Sequence, residues 1–173
     1  MILPVIEGVL DRNADISFEL FGSIPVPAPL ERFGNRITRV EPIADYEAFL
    51  EALCERQWEI GICPLVPTDF NRTKSNNKWI EYTAAGIATV ASGGMAYDQC
   101  CSGGAGILAS DLDEWRWAID RLIADDGERT AMVKRAQDRL QSDYGIAAHR
   151  QQIMDIVQLA TEQAAHSLVE ENA

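Results

Sequence analysis

Residues 59–93 have the sequence EIGICPLVPTDFNRTKSNNKWIEYTAAGIATVASG, and the order of patterns within them decides the fold. An apolar run that ends at two prolines predicts a buried strand stopping at a loop. Residues 68–74 are polar and typical of a turn, and 75–85 predict a helix closed by Gly86. The β-rich segment 87–91 predicts the next strand. Strand, loop, helix and strand form a parallel βαβ unit, and such sheets bind ligands where strands end and helices begin.

The loop and the first turn of this helix concentrate positive charge in an acidic chain. The net charge of the 173 residues is −12, yet two of the three lysines, Lys74 and Lys78, lie here beside Arg72. Ser75 or Asn76 is suited to cap the helix. Its N-terminus would then offer backbone N–H groups and a positive dipole end to an anion.

Helical spacing adds a carboxylate to these cations. At about 100° per residue, Lys74, Lys78 and Glu81 fall on one face if the helix reaches back to Lys74. A carboxylate one to two turns after a phosphate-binding helix start can accept hydrogen bonds from a ribose diol. The pattern predicts a phosphate site followed by a sugar site. The alternative is a solvated helix face with a weak ion pair, worth about 0.2–0.5 kcal/mol.

A dense series of short motifs runs through the same stretch. They are Glu59-Ile60-Gly61, Pro64-Leu65, Phe70-Asn71-Arg72, Lys74-Ser75, Lys78, Glu81-Tyr82, Gly86 and Val90-Ala91-Ser92. Their order resembles the donor-binding segment of GT-B glycosyltransferases of group 1, the family 4 type. Weaker similarity to the C-terminal domain of these enzymes extends over most of the chain. Many members carry a second Glu eight residues before the position of Glu81. This chain has Thr73 there, which departs from the family's contact to the donor sugar.

The resemblance implies transfer of a sugar from a nucleotide-activated donor to an acceptor hydroxyl, in cytoplasmic polysaccharide biosynthesis, with no metal and no cofactor. Lys74 and Lys78 would act in catalysis by offsetting the charge that develops on the departing diphosphate. Glu81 would hold the donor ribose. Further candidates for substrate binding are Asn71, Arg72, Ser75, Gly93 and Tyr97. Gly93 could instead form an ordinary turn, and Tyr97 could instead pack its loop onto the sheet.

Strands and helices alternate along the rest of the chain. The pattern predicts helices at 2–12, 46–56, 111–123, 127–142 and 146–167, strands at 17–21, 37–40, 58–63 and 106–109, and loops at 23–35 and 93–104. Residues 1–168 are therefore expected to form one α/β, Rossmann-like domain, with a doubly wound parallel sheet flanked by helices. We expect the acidic tail, 169–173, to be frayed.

The first helix raises a question about the sheet. In the resembled domain a strand precedes that helix, and in the usual order 3-2-1-4-5-6 this strand is central. Here 2–12 predicts a helix, with a short strand at 2–6 as the alternative. Without a central strand, two neighbouring strands would keep unpaired backbone groups, which are rarely tolerated when buried. We expect that the residues belong to a longer protein, or that rearrangement or another chain closes the gap. The acceptor domain would lie outside these residues, which alone should be inactive.

Composition narrows the remaining classes of function. The acidic balance argues against nucleic acid, and no apolar run approaches the roughly 20 residues of a membrane helix. The sequence contains no GxGxxG motif of a dinucleotide site, no Walker loop and no metal cluster. It also lacks the acidic cluster after an early strand that a receiver-like signalling domain needs. Four cysteines lack zinc spacing, which predicts reduced thiols, with Cys54 and Cys63 in the core. His149 and His166 are expected to have surface or packing roles. The alternative function is a non-catalytic nucleotide-binding or regulatory module.

Overall fold

The computed structural model describes residues 1–170, and the side chains of residues 1–161. Residues 171–173 of the predicted acidic tail lie outside this range. The helices are α1 (Leu3–Arg12), α2 (Tyr46–Glu55), α3 (Asp69–Arg72), α4 (Asn77–Ala84), α5 (Asp98–Cys101), α6 (Leu112–Ala124), α7 (Asp126–Asp143) and α8 (Ile146–Glu170), and 3₁₀ helices cover Ala28–Arg36 and Ser102–Gly104. The strands are β1 (Phe18–Phe21), β2 (Ile37–Val40), β3 (Ile60–Cys63), β4 (Ala88–Ser92) and β5 (Ile107–Ala109).

Two compact units divide the chain within α7. The first, Met1–Gln137, contains all five strands. The second begins at Asp138 and contains the end of α7 and the long helix α8. Several apolar side chains of α8 are exposed, among them Ile146, Ile153 and Ile156.

Capping side chains explain where several helices begin. Asp45 accepts a backbone hydrogen bond at the start of α2, and Asp111 accepts two at the start of α6. Such caps satisfy N–H groups that have no acceptor within the helix. Pro4 lies in the first turn of α1, where its missing N–H costs no helical hydrogen bond.

The five strands form two separate parallel sheets. In one sheet β1 pairs with β2, with Phe18 opposite Ile37. The other sheet has the order β3-β4-β5, with Ile60 opposite Ala88 and Val90 opposite Ile107. The expected α/β class with parallel strands flanked by helices is confirmed, but the strands do not join into one continuous sheet.

Helices cover both faces of the three-stranded sheet. Alternate strand residues, including Ile62 and Val90, pack with α1 and α6 in one apolar cluster that contains Trp115. The intervening residue Gly61 faces the other way, where a Cβ would lie 2.4 Å from the ring of Tyr82 on α4. This alternation is what a period of two demands of strands covered on both sides. It places α4, the helix of the predicted site, directly against β3.

Helix α1 packs against both sheets at once. Val5 and Val9 belong to the apolar cluster of the three-stranded sheet. Leu10, from the same helix, lies in a second cluster against which Phe18 of β1 packs. Ile6 contacts both clusters. The prediction of a helix here is therefore confirmed, and the alternative strand at 2–6 is wrong.

Several local predictions need correction. Most of the predicted loop 23–35 is occupied by the 3₁₀ segment Ala28–Arg36, which is kinked at Gly34, and the predicted loop 93–104 contains α5. Leu30 and Phe33 in the 3₁₀ helix are buried at i, i+3 spacing, which fixes this segment against α1. Cys54 is exposed rather than part of the core, whereas Cys63 is buried.

Candidate functional site

The loop after β3 is tied to the end of β4. The Ser92 hydroxyl accepts a hydrogen bond from the Leu65 N–H at 2.8 Å and donates to the Leu65 carbonyl at 3.2 Å. Within the loop, the side-chain amide of Asn71 donates to the Val66 carbonyl at 2.8 Å. These bonds hold the segment between β3 and α4 at the carboxyl edge of the sheet, where doubly wound folds bind ligands. The predicted binding residue Asn71 thus also has a structural task.

The start of α4 differs from the prediction. The helix begins at Asn77, with Asn76 at the N-cap position, so Lys74 precedes it. The condition under which Lys74 would share one helical face with Lys78 and Glu81 is not met, because a short helix, α3, occupies residues 69–72 and a non-helical connection follows it. The exposed Lys74 ammonium instead lies 5.3 Å from the centroid of the Phe70 ring, a cation–π contact.

Asn76 does not cap the helix through its side chain, which forms a hydrogen bond with Cys100 on α5. The first-turn N–H groups of α4 therefore lack the side-chain acceptor that a capping residue supplies. The bond also ties the start of α4 to α5, which follows the loop after β4. It contributes to a pKa of the Cys100 thiol below its ordinary value, although a hydrogen bond with Cys101 is the larger cause.

Glu81 lies half-buried on α4 beside two partners. Burial raises the pKa of the Glu81 carboxyl, while the Lys78 charge and a hydrogen bond from the Tyr46 hydroxyl act in the opposite direction. Lys78 and Glu81 are three residues apart on one helical face, as predicted. The arrangement is a partly desolvated carboxylate that could accept further hydrogen bonds, next to an exposed ammonium.

Tyr46 is the residue that sequence reasoning missed. It opens α2, and its ring stacks on Phe49 with centroids 6.1 Å apart. Its side chain is exposed, and its hydroxyl is a hydrogen-bond partner of Glu81. No local pattern links two residues that are far apart in sequence. The only available signal in the sequence was an aromatic residue directly after Asp45, at the predicted start of a helix.

The charge of Lys78 also affects the thiol of Cys63, the last residue of β3. Burial raises the pKa of the Cys63 thiol to about 12, and the nearby charge of Lys78 partly opposes this shift. The Tyr97 hydroxyl forms a hydrogen bond with the same thiol, and Tyr97 is only 3% exposed. Tyr97 therefore packs its loop onto the sheet in this structure, next to the site rather than open to it.

The remaining predicted residues are placed as follows. Gly93 leaves β4 and approaches the next strand end so closely that a Cβ there would lie 2.8 Å from the Ser110 hydroxyl oxygen. Arg72 and Ser75 are exposed, and within the described part of the chain their side chains form no hydrogen bond or ion pair. The Thr73 hydroxyl donates to the Phe70 carbonyl at 2.9 Å and so closes α3.

The site as a whole combines cations with one carboxylate. Arg72, Lys74 and Lys78 are exposed along the loop and the first turn of α4, in a chain whose net charge is −12. Glu81 follows one turn further into the helix. Among the residues that the structure describes, no group of three His, Cys, Asp or Glu side chains is placed to hold a metal ion. Chemically, the arrangement can hold an anion next to a hydroxyl-bearing group.

The chain matches a known protein family over most of its length. A model of glycosyl transferase-like proteins matches residues 5–155, which is most of the chain. The chain belongs to the glycosyl transferase-like family. Its fold is that of the C-terminal domain of GT-B glycosyltransferases, as the motifs of residues 59–93 predicted. Among curated proteins, none matches this chain.

Solved structures agree on the fold. Alr3699/HepE from Anabaena in complex with UDP superimposes with a TM-score of 0.67 at 16% identity, covering 90% of this chain and 44% of that protein. The same protein in complex with UDP-glucose gives a TM-score of 0.65 at 15% identity, covering 90% and 44%. This chain thus spans less than half the length of the solved proteins it matches.

None of the helices in the described range combines the length and the apolar character needed to cross a bilayer.

Proposed function

We propose that this chain is the donor-binding part of a glycosyltransferase and that it binds a nucleoside diphosphate sugar at the carboxyl edge of β3 and β4. The observation that carries the proposal is the half-buried Glu81 carboxylate of α4, which lies near the Lys78 charge and accepts a hydrogen bond from Tyr46 of α2. Glu81 accepts hydrogen bonds from the ribose hydroxyls. The complexes of Alr3699/HepE with UDP and UDP-glucose support a uridine nucleotide as the donor to test first.

The exposed cations supply the other half of the site. Lys74, Lys78 and Arg72 bind the diphosphate together with the first-turn N–H groups of α4. During transfer the departing diphosphate gains negative charge, and these groups stabilise it in the transition state. In this role Lys74 and Lys78 are catalytic, and no metal or cofactor takes part. Asn71, Ser75 and the backbone at Gly93 border the diphosphate and the sugar, whereas Tyr97 supports the loop.

The acceptor belongs to a second domain or a partner chain, because this chain spans less than half of the solved proteins it matches. On its own the 173-residue chain binds donor but transfers no sugar. We place the reaction in cytoplasmic polysaccharide biosynthesis. Neither a nucleic acid nor a lipid bilayer is a partner in this proposal.

Calorimetric titration with UDP and with uridine tests the site. UDP should bind more tightly than uridine, and the preference should weaken as salt rises, because salt screens exposed charges. Lys74→Gln/Lys78→Gln should reduce UDP affinity by at least about tenfold, since charge-assisted hydrogen bonds are worth about 1.5–3 kcal/mol. Lys134→Gln, which removes the one lysine outside the site, is the control for loss of a positive charge elsewhere in the chain. Equal affinity for UDP and uridine would remove the diphosphate site.

Thr73 favours a second candidate, a nucleotide-binding or regulatory module without transfer activity. Its hydroxyl is bonded to the Phe70 carbonyl, at the position where the resembled enzymes carry a carboxylate for the donor sugar. Under this alternative, UDP and UDP-glucose bind equally well, because nothing recognises the sugar. Under the main proposal UDP-glucose, or another UDP-sugar in a panel, binds more tightly than UDP.

A further inference from the structure

The hydrogen bond between Asn76 and Cys100 joins the start of α4 to the short helix α5. Helix α4 follows the loop after β3, and α5 follows the loop after β4. Both loops leave the carboxyl edge of the three-stranded sheet, so the bond lies beside the proposed donor site. Asn76 is half-buried, whereas its neighbours Ser75 and Asn77 are exposed. The residue at the N-cap position is thus the one of the three that is withdrawn from solvent.

Cys100 holds the Asn76 amide from a fixed, buried position. Its side chain is 1% exposed, and its thiol donates to the Tyr97 carbonyl at 3.3 Å. The neighbouring Cys101 is also buried, and its sulfur lies so close to Gly106 that a Cβ there would approach it to 2.6 Å. Hydrogen bonds from Cys101 and from Asn76 lower the pKa of the Cys100 thiol against the effect of burial. A bond that lowers a thiol pKa is one that the sulfur accepts, so the Asn76 side-chain N–H is the donor.

The backbone of Asn76 is also outside the geometry of a capping residue. Such a residue normally has extended backbone angles, and its side-chain oxygen accepts the N–H of the second or third helical residue. Asn76 has φ −88° and ψ 25°, and its side chain is turned to Cys100 rather than to the helix. Its backbone carbonyl accepts the N–H groups of Trp79 at 2.9 Å and Ile80 at 3.2 Å. The N–H of Lys78, the second helical residue, is therefore the one that a side-chain cap would take.

An asparagine released from Cys100 would compete with an anion for this N–H group. Asparagine is among the most favoured N-cap residues, so without its thiol partner the Asn76 side chain is expected to turn to the helix. We propose that Cys100 is a positioning residue, which holds Asn76 away from the Lys78 N–H and so keeps the first turn of α4 open for the diphosphate. The inference rests on the diphosphate site proposed above and adds to it the group that keeps that site accessible.

Removal of the thiol and of the amide, singly and together, tests this role. In Cys100→Ala the released Asn76 caps α4, so UDP affinity in calorimetric titration should fall about three- to tenfold, which matches the usual strength of a cap. In Cys100→Ala/Asn76→Ala the affinity should return to within about twofold of the wild type, because alanine has no side-chain oxygen with which to cap. Binding lost through damaged packing would not be repaired by removing a second side chain.

A matched control and a second variant accompany these chains. Cys101→Ala removes an equally buried thiol from the same short helix and leaves the partner of Asn76 in place, so UDP affinity should be unaltered. Cys100→Val fills the position without offering a hydrogen-bond acceptor. It takes the place of Cys100→Ala if the alanine chain does not fold, as judged by urea unfolding, and the same loss and rescue of affinity are expected.

Amide hydrogen exchange at Lys78 in the free chain gives a measurement that needs no nucleotide. Exchange should slow about three- to tenfold in Cys100→Ala and return to the wild-type rate in the double variant. If the wild-type chain binds no UDP, the proposed function fails, whereas this exchange still decides the role of Cys100. Unchanged exchange at Lys78 in Cys100→Ala would overturn the proposal. Unchanged UDP affinity in Cys100→Ala, or a double variant that binds UDP as weakly as Cys100→Ala, would overturn it as well.

Discussion

Replacing Glu81 by glutamine separates a ligand-binding carboxylate from a structural one. The substitution keeps the shape of the side chain and removes its charge. Charge-assisted hydrogen bonds are worth about 1.5–3 kcal/mol, and each 1.4 kcal/mol is tenfold in affinity. The Glu81→Gln chain should therefore bind UDP about ten- to hundredfold more weakly, as measured by calorimetric titration. Glu31→Gln makes the same chemical change at an exposed residue of the 3₁₀ helix and should leave the affinity unaltered.

The same substitution should stabilise the free chain. Burial raises the pKa of Glu81 in the folded state, so the folded state holds its proton to higher pH than the unfolded state. Stability from this group is therefore present at low pH and is lost as pH rises through the folded pKa. At pH 7 the free energy of unfolding of Glu81→Gln should exceed that of the wild type, and the difference should disappear as pH falls below the ordinary pKa of a glutamate side chain.

Two outcomes would refute this reasoning about Glu81. Unfolding of the Glu81→Gln chain with unchanged residual affinity for UDP would make Glu81 a structural residue. A stability difference that grows as pH falls would show that ionised Glu81 stabilises the fold, contrary to the direction of its pKa shift.

Two other substitutions probe the surroundings of the site. Tyr46→Phe removes the hydroxyl bonded to Glu81, so the pKa of Glu81, followed by NMR, should rise further. UDP affinity should fall by up to about tenfold, and the free energy of unfolding should be nearly unchanged because Tyr46 is exposed. A pKa of Glu81 that does not move would contradict this contact. Gly61→Ala places a Cβ 2.4 Å from the Tyr82 ring and should cost about 1–3 kcal/mol in urea unfolding. Its control is Gly8→Ala, whose Cβ would meet only the Arg12 guanidinium, 3.1 Å away at the end of a long side chain, and which should stabilise α1 by about 0.5–1 kcal/mol. Equal effects of the two substitutions would refute the packing argument.

Local periodicity was enough to predict most elements of the fold. The apolar runs of β3 and β4 and the amphipathic spacing of α1 and α6 each fit one type of element. Their predicted bounds therefore lie close to the observed ones. The 3₁₀ helix 28–36 was missed because prolines before it suggested a loop, although the buried pair Leu30 and Phe33 carries a helical spacing. The two separate sheets match the gap that the predicted first helix raised, whereas the pairing of β1 with β2 and the order β3-β4-β5 could not be read from any single strand.

In the candidate site too, local spacing was predictable and tertiary contacts were not. The order of Lys78 and Glu81 on α4 follows from helical spacing, and the structure keeps them on one face. Lys74 does not join that face, because the helix begins at Asn77 rather than at the predicted Ser75, and helix boundaries are the least certain part of a prediction from sequence. Ser75 or Asn76 was expected to cap α4; Asn76 occupies the N-cap position, but its side chain bonds Cys100, a tertiary contact, instead of the helix. The contact of Tyr46 with Glu81 has the same origin, since it joins residues from two helices that only folding brings together.

The four thiols differ in exposure, so the rates at which they are alkylated report local opening of the folded chain. Cys54 is exposed, whereas Cys63, Cys100 and Cys101 are each at most 2% exposed around the base of the site. Thiolates rather than thiols react with alkylating reagents, and a pKa of about 12 leaves Cys63 protonated while the site is closed. One thiol is therefore modified quickly, and the others only as fast as the segment around β3 and α5 opens. A ligand that joins these elements would slow the second phase without affecting the first.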